Sequence, residues 1–71
     1  MAITTDELEI RFTYHKPEPN LGGLYEMLRT EAKNFAITIT ESTPESREQS
    51  LAITALEEAV FWANAAIARR G

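Results

Sequence analysis

The chain has 71 residues, a formal net charge of −4, no cysteine and a single histidine, His15. A chain this short buries only about 60% of its unfolded surface and usually needs a staple. Disulfides and thiolate zinc sites are excluded, a histidine-based metal site is a poor expectation, and association with further copies is what is left.

The acidic balance argues against DNA or RNA polymers as partners, which call for a basic excess. No apolar run approaches the roughly 20 residues that span a bilayer, and the N-terminus lacks the basic-then-apolar pattern of a signal peptide. The expectation is a soluble, cytosolic protein with no membrane partner and no cofactor.

In chain order, Thr5-Asp6-Glu7 has the pattern of a helix start, a hydroxyl cap followed by acids that favour the dipole. A short first helix is expected over about 5–14, with Leu8, Phe12 and Ile10 available to pack it. Pro17 disfavours helical geometry at Lys16, and Pro19-Asn20 before Gly22-Gly23 reads as a loop.

A second helix is expected over about 22–41. Leu24, Leu28, Ala32, Phe35 and Ile39 fall on one face, widened by Met27 and Ala36. Ala36-Ile37-Thr38-Ile39-Thr40 also alternates like a strand, but the preceding periodicity favours a continued helix.

Thr43-Pro44-Glu45 then suits a cap, a first helical position and a dipole-facing acid, so the third helix is expected over about 44–69. Ile53, Leu56, Val60, Ala63 and Ile67 form a heptad-like seam for an antiparallel partner. The fold class is therefore all-α, a short helix followed by a long antiparallel helical hairpin.

Leu51, Ala52, Ala55, Ala59, Phe61, Trp62 and Ala66 extend the apolar surface beyond that seam. A helix apolar on more than one side is normally buried on more than one side. Either this surface meets another subunit, giving a homo-oligomer, or Trp62 caps an intramolecular core.

The inventory for catalysis is thin: no thiol, no well-placed Ser-His-Asp set and no Walker-type loop. Glu57 and Glu58 are adjacent and point about 100° apart on a helix, as solvated acids do. Gly22-Gly23 opens a helix and has amides to offer an anion, although a plain loop serves as well.

The few basic residues are more informative. Arg29 and Lys33 stand at i and i+4, a repulsion of about 0.2–0.5 kcal/mol that an anion would reverse and that a Glu26–Arg29 pair would also relieve. Arg11, Tyr14, His15 and Lys16 combine aromatic faces with positive charge, as a purine nucleotide with a phosphodiester requires. Arg69-Arg70 suits the dipole at the end of the third helix, and Arg47 has Glu45 and Glu48 as possible partners.

The run from Ser46 to Arg69, with its Ser46-Arg47-Glu48, Leu56-Glu57-Glu58-Ala59 and Trp62-Ala63-Asn64-Ala65-Ala66-Ile67-Ala68-Arg69 segments, resembles the helical-hairpin domain of phage anti-defence proteins. Arg11-Phe12-Thr13-Tyr14-His15, with Pro17 and Tyr25 downstream, is also similar, so the resemblance covers nearly the whole chain. That family contains anti-CBASS nucleotide sponges and Thoeris anti-defence sponges.

The resemblance implies a homo-oligomer, often a hexamer, in the host bacterial cytoplasm. It would bind cyclic dinucleotides, cyclic trinucleotides or cyclic ADP-ribose isomers at subunit interfaces without cleaving them. It places Tyr14 on a base, Arg29 on a phosphate with Thr30 beside it, and Arg69 in trinucleotide binding, with Arg11 and Asn64 as further ligand-binding residues; Lys33 joins the ligand-binding set through its charge one turn from Arg29. Thr43 stands where relatives often have cysteine and should serve equally well as a helix cap. A sponge is thus the expected function. The alternatives are an oligomeric helical adaptor with no nucleotide ligand and a cyclic-nucleotide hydrolase.

Overall fold

A computed structural model describes residues 3–16 and 21–71. Three helices follow one another, α1 (Thr5–Phe12), α2 (Gly22–Ser42) and α3 (Arg47–Arg70), and there is no strand among the described residues. The all-α class and the hairpin are as the periodicity predicts. The loop expected over Pro17–Asn20 lies outside the described residues.

α1 starts at Thr5 as expected, but its cap is one residue earlier. Thr4, not Thr5, is the N-cap, its Oγ1 accepting from the Glu7 amide at 3.1 Å, while Asp6 and Glu7 keep their place in the first turn. The helix ends at Phe12 rather than near Tyr14, because Thr13 is extended. The Ile10 carbonyl, which a continued helix would bond to the residue-14 amide, accepts from His15 Nε2 instead.

The turn between α2 and α3 corrects a second boundary. Thr43 is the C-cap of α2, its amide and hydroxyl both donating to the Ile39 carbonyl at 3.1 and 2.7 Å. Pro44 lies outside either helix, and α3 begins at Arg47 with Ser46 as N-cap, its Oγ accepting from the Gln49 amide at 3.1 Å.

Ser46 and Gln49 have the spacing of a capping box, but the Gln49 amide group does something else. Its Nε2 donates to the Thr43 carbonyl and hydroxyl at 3.1 and 3.0 Å and lies 3.4 Å from the Thr40 carbonyl. The side chain that opens α3 therefore satisfies acceptors at the end of α2. A start at Pro44 would remove this connection between the two helices.

The seam on α3 is as expected, with Ile53, Leu56, Val60, Ala63 and Ile67 all half-buried. On α2 the half-buried residues are Tyr25, Leu28, Ala32, Ala36 and Ile39. Leu24 and Phe35 were expected on that face but are 41% and 56% exposed. Both sets satisfy helical spacing, and the position of α3 decides between them. At α1 the packed residue is Ile10, whereas Leu8 is 45% and Phe12 83% exposed.

No hydrophobic residue among those described is fully buried. The radius of gyration is 15.5 Å, against about 11 Å for a compact chain of this length. Accessible surface is 5903 Å², about 1,450 Å² more than a folded monomer of 8.0 kDa normally exposes. Leu51, Phe61 and Trp62 on α3 contribute to this surplus, at 50%, 61% and 61% exposed.

One feature of α3 bears on the exclusion of a membrane span. By length and composition α3 is apolar enough to cross a bilayer, with a mean hydropathy of 1.3 over eighteen residues. Looking for an uninterrupted run missed it, because Glu57 and Glu58 divide a helix that is apolar on average. Those acids sit near its middle, where a charged side chain costs on the order of 3 kcal/mol in a bilayer. The apolar faces of α3 are better suited to contact with protein.

Candidate functional site

The C-terminal end of α3 is where α1 returns to the hairpin. Glu7 makes the connection: its Oε1 accepts from Arg70 at 2.7 Å and from Arg11 Nε at 3.0 Å. The Glu7–Arg11 bond spans one helical turn, whereas Arg70 lies 63 residues further along the chain. Arg70 first and Arg11 second hold the Glu7 carboxyl below its usual value of 4.5. A depressed carboxyl stabilises the folded arrangement above its unfolded pKa, and this is lost as pH falls through the folded value. The α1 tether is therefore complete at neutral pH and released by acid.

Between the two helices lies a cleft of about 480 Å³, within the size range of small-molecule sites. Arg11, Arg69 and Arg70 bring three guanidinium groups to it, and Phe12 and Trp62 bring aromatic surface. Trp62 donates its indole N–H to Glu58 Oε1 at 3.3 Å, which orients the ring. Arg69 is half-buried and makes no ion pair among the described residues. Cations beside exposed aromatic faces suit a ligand that combines phosphate oxygens with bases.

A second, more polar depression of about 290 Å³ lies near the other side of the α3 terminus. Tyr14, His15, Lys16 and Tyr25 line it, together with Ile67 and Ala68 of α3. Tyr14 is 80% exposed, while Tyr25 is half-buried.

The structure thus divides the basic-aromatic group that the sequence suggested. Arg11 faces the first cleft and Tyr14, His15 and Lys16 the second, because the chain leaves the helix between them at Thr13. Arg11 and Arg69 are brought together. Arg29, Thr30 and Lys33 are exposed on α2 and line neither cavity. The Glu26–Arg29 pair, and a partner for Arg47 in Glu45 or Glu48, are not formed among the described residues.

Asn64 is half-buried on α3, its Oδ1 shielded from solvent and without a hydrogen-bond partner. Glu7, Phe12, Trp62 and Arg70 were not identified as site residues from the sequence. The i,i+4 spacing of Glu7 and Arg11 was a local signal, but nothing local announces Arg70. No group of three metal-ligating side chains occurs among the described residues.

No curated protein and no solved structure matches the chain. The family model described as Acb2/Tad1, hairpin domain, does match it, over residues 4–68. That span takes in α1 from its cap, the whole hairpin seam and most of both cavity linings. A short helix, a helical hairpin and cation-rich clefts where they meet are thus features of a chain that belongs to the Acb2/Tad1 hairpin family, the anti-CBASS and anti-Thoeris sponges, whose role is to bind cyclic-nucleotide signals rather than to catalyse.

Proposed function

We propose that this protein sequesters cyclic oligonucleotide immune signals intact, as a phage-encoded homo-oligomer, a hexamer, acting in the cytoplasm of the infected bacterium. Its ligands would be cyclic dinucleotides, cyclic trinucleotides or cyclic ADP-ribose isomers, and depleting them keeps CBASS or Thoeris effectors inactive. The family match over residues 4–68 is the observation that carries the reading.

Charge supports a small anion over a nucleic-acid polymer: the chain is acidic overall, with net charge −4, yet gathers three arginines at one cleft. Binding without cleavage accords with a chain that has no cysteine and one histidine. Assembly accords with the surplus of about 1,450 Å² over a compact monomer, since one partner in a standard interface contributes only about 800 Å². An apolar groove between α2 and α3, lined by Leu28, Phe35, Leu56 and Val60 among others, adds to the surface available for such contacts.

Arg29, Thr30 and Lys33 enter the same picture through assembly. Among the described residues they share neither of the two clefts with Tyr14, so a pocket using both would be completed by a second copy. Asn64, with its unpartnered Oδ1, would then face a donor from a neighbouring copy or from the ligand.

Calorimetry with a panel of cyclic di- and trinucleotides and cyclic ADP-ribose isomers tests the proposal. Saturable binding of at least one of them is expected, with the ligand chemically intact after the protein is denatured. A panel with no binding at high protein concentration would leave a helical adaptor without a nucleotide ligand. Recovery of a linear product would make the protein a hydrolase.

A further inference from the structure

The cleft between α1 and α3 contains one group that opposes an anionic ligand. Beside its three guanidinium groups stands the Glu7 carboxylate, which lines the same cavity. A single oxygen of Glu7 accepts from both Arg11 Nε, at 3.0 Å, and Arg70, at 2.7 Å. Two of the three cations are therefore already holding an oxyanion, in the manner in which a guanidinium holds a phosphate.

We propose that Glu7 is a built-in charge gate, an internal stand-in for the anionic ligand that occupies Arg11 and Arg70 until a more highly charged molecule displaces it. This rests on reading the protein as a binder of anionic nucleotides, and adds a regulator of selectivity to it. A ligand with one negative charge gains little by exchanging its oxyanion for the carboxylate of Glu7. One with two or three phosphates can engage Arg11, Arg69 and Arg70 together. The gate thus favours ligands whose negative charges are spread over two or three phosphates, able to engage all three guanidinium groups, over monoanions such as chloride.

The groups facing Glu7 are few. Arg11 comes from α1, Arg69 and Arg70 come from α3, and no residue of α2 lines the cleft. None of these arginines loses its proton at accessible pH, so the charge of the cleft changes through Glu7. The carboxyl is held below its usual 4.5, and acid that protonates it opens the gate. Because Glu7 also ties α1 to Arg70, displacement and loosening of α1 are one event.

The test uses ethane disulfonate, a small dianion that does not titrate in the working range, with the Trp62 indole and arginine Nε–H signals followed by NMR. Glu7→Gln keeps the size of the side chain and removes its charge. It should bind the dianion about three- to tenfold more tightly than the wild type at pH 7. Wild-type affinity should rise toward that of the variant as pH falls below 4.5, and the variant should show no such rise.

Equal or weaker binding by Glu7→Gln with α1 still helical would overturn the gate and leave Glu7 as a tether only. Should Glu7→Gln unfold α1, the wild-type pH series decides alone over the range in which α1 stays helical, and an affinity that stays flat while the Glu7 carboxyl is seen by NMR to titrate overturns the proposal. Absence of dianion binding in both proteins overturns it as well. Failure of the sponge reading is distinguishable, because it appears in the cyclic-nucleotide panel: nucleotides that bind with no effect of Glu7 contradict the gate alone.

Discussion

The hairpin and α1 are held by different physics. The α2–α3 pair has a half-buried seam along its length, with Leu28, Ala32 and Ile39 on α2 and Leu56, Val60 and Ala63 on α3, and its turn is tied by Gln49. In α1 only Ile10 and Glu7 are half-buried, and the hydrogen bond that Arg70 donates to Glu7 ties it to α3. Apolar burial is insensitive to pH and strengthened by excluded salts, whereas an exposed ion pair is screened by salt and lost in acid. The teaching is that the hairpin is the scaffold and α1 is a conditional wall of the site.

The largest effect expected on this contrast is from Leu56→Ala. A half-buried leucine in the seam should cost about 2 kcal/mol, the low end for such truncations, and lower the thermal midpoint followed by helical circular dichroism. A midpoint unchanged by the substitution would mean that the seam does not hold the hairpin.

Gln49→Ala should come next. It removes donors to Thr43 and Thr40 from a partly exposed site, a loss of about 1 kcal/mol. In hydrogen exchange, protection should fall first at the end of α2 and the start of α3. If the loss is spread evenly over all three helices, the turn is not a local clamp.

A smaller and more local change is expected on acidification. Protonating Glu7 removes the charge that Arg70 and Arg11 share, so amide protection within Thr5–Phe12 should fall part of the way, with α1 still helical, below the usual carboxylate range while α3 stays protected. High salt at neutral pH should move α1 in the same direction. Simultaneous loss of protection in all three helices would erase the distinction between scaffold and wall.

The smallest effect is expected at Gly23→Ala. An added Cβ meets nothing within 4 Å at this position, and the backbone is not left-handed. The gain should be about 0.5–1 kcal/mol in helix stability. Destabilisation instead would reveal a neighbouring copy packed against the N-terminus of α2.

Much of the fold was legible because it rests on short-range patterns. The α3 seam from Ile53 to Ile67 is written in helical spacing, and the acids of α1 mark its first turn. The errors fall where two local solutions compete. Thr43-Pro44 and Ser46 are both plausible starts for α3, and the position of Gln49 against α2 selects the second. Leu24 with Phe35, and Tyr25 with Ala36, are both legitimate faces of α2, and only packing against α3 chooses.

The candidate site was legible by residue type but not by grouping. Arg11, Tyr14 and Arg69 were singled out, yet Arg11 and Tyr14 fall in different cavities because of the extended Thr13. Glu7 and Arg70 were missed as a pair, since their contact joins the two ends of the chain. Arg29, Thr30 and Lys33 stand exposed on α2 and line neither cleft, so the role proposed for them depends on the proposed assembly.

The central claim, an assembly that holds its ligand unaltered, is tested most directly by native mass spectrometry of the protein mixed with a cyclic trinucleotide and a cyclic dinucleotide. The account predicts a multi-copy species, six copies in the proposed form, carrying ligand that is released at its original mass. A monomer that retains no ligand at concentrations where the protein remains folded would contradict it.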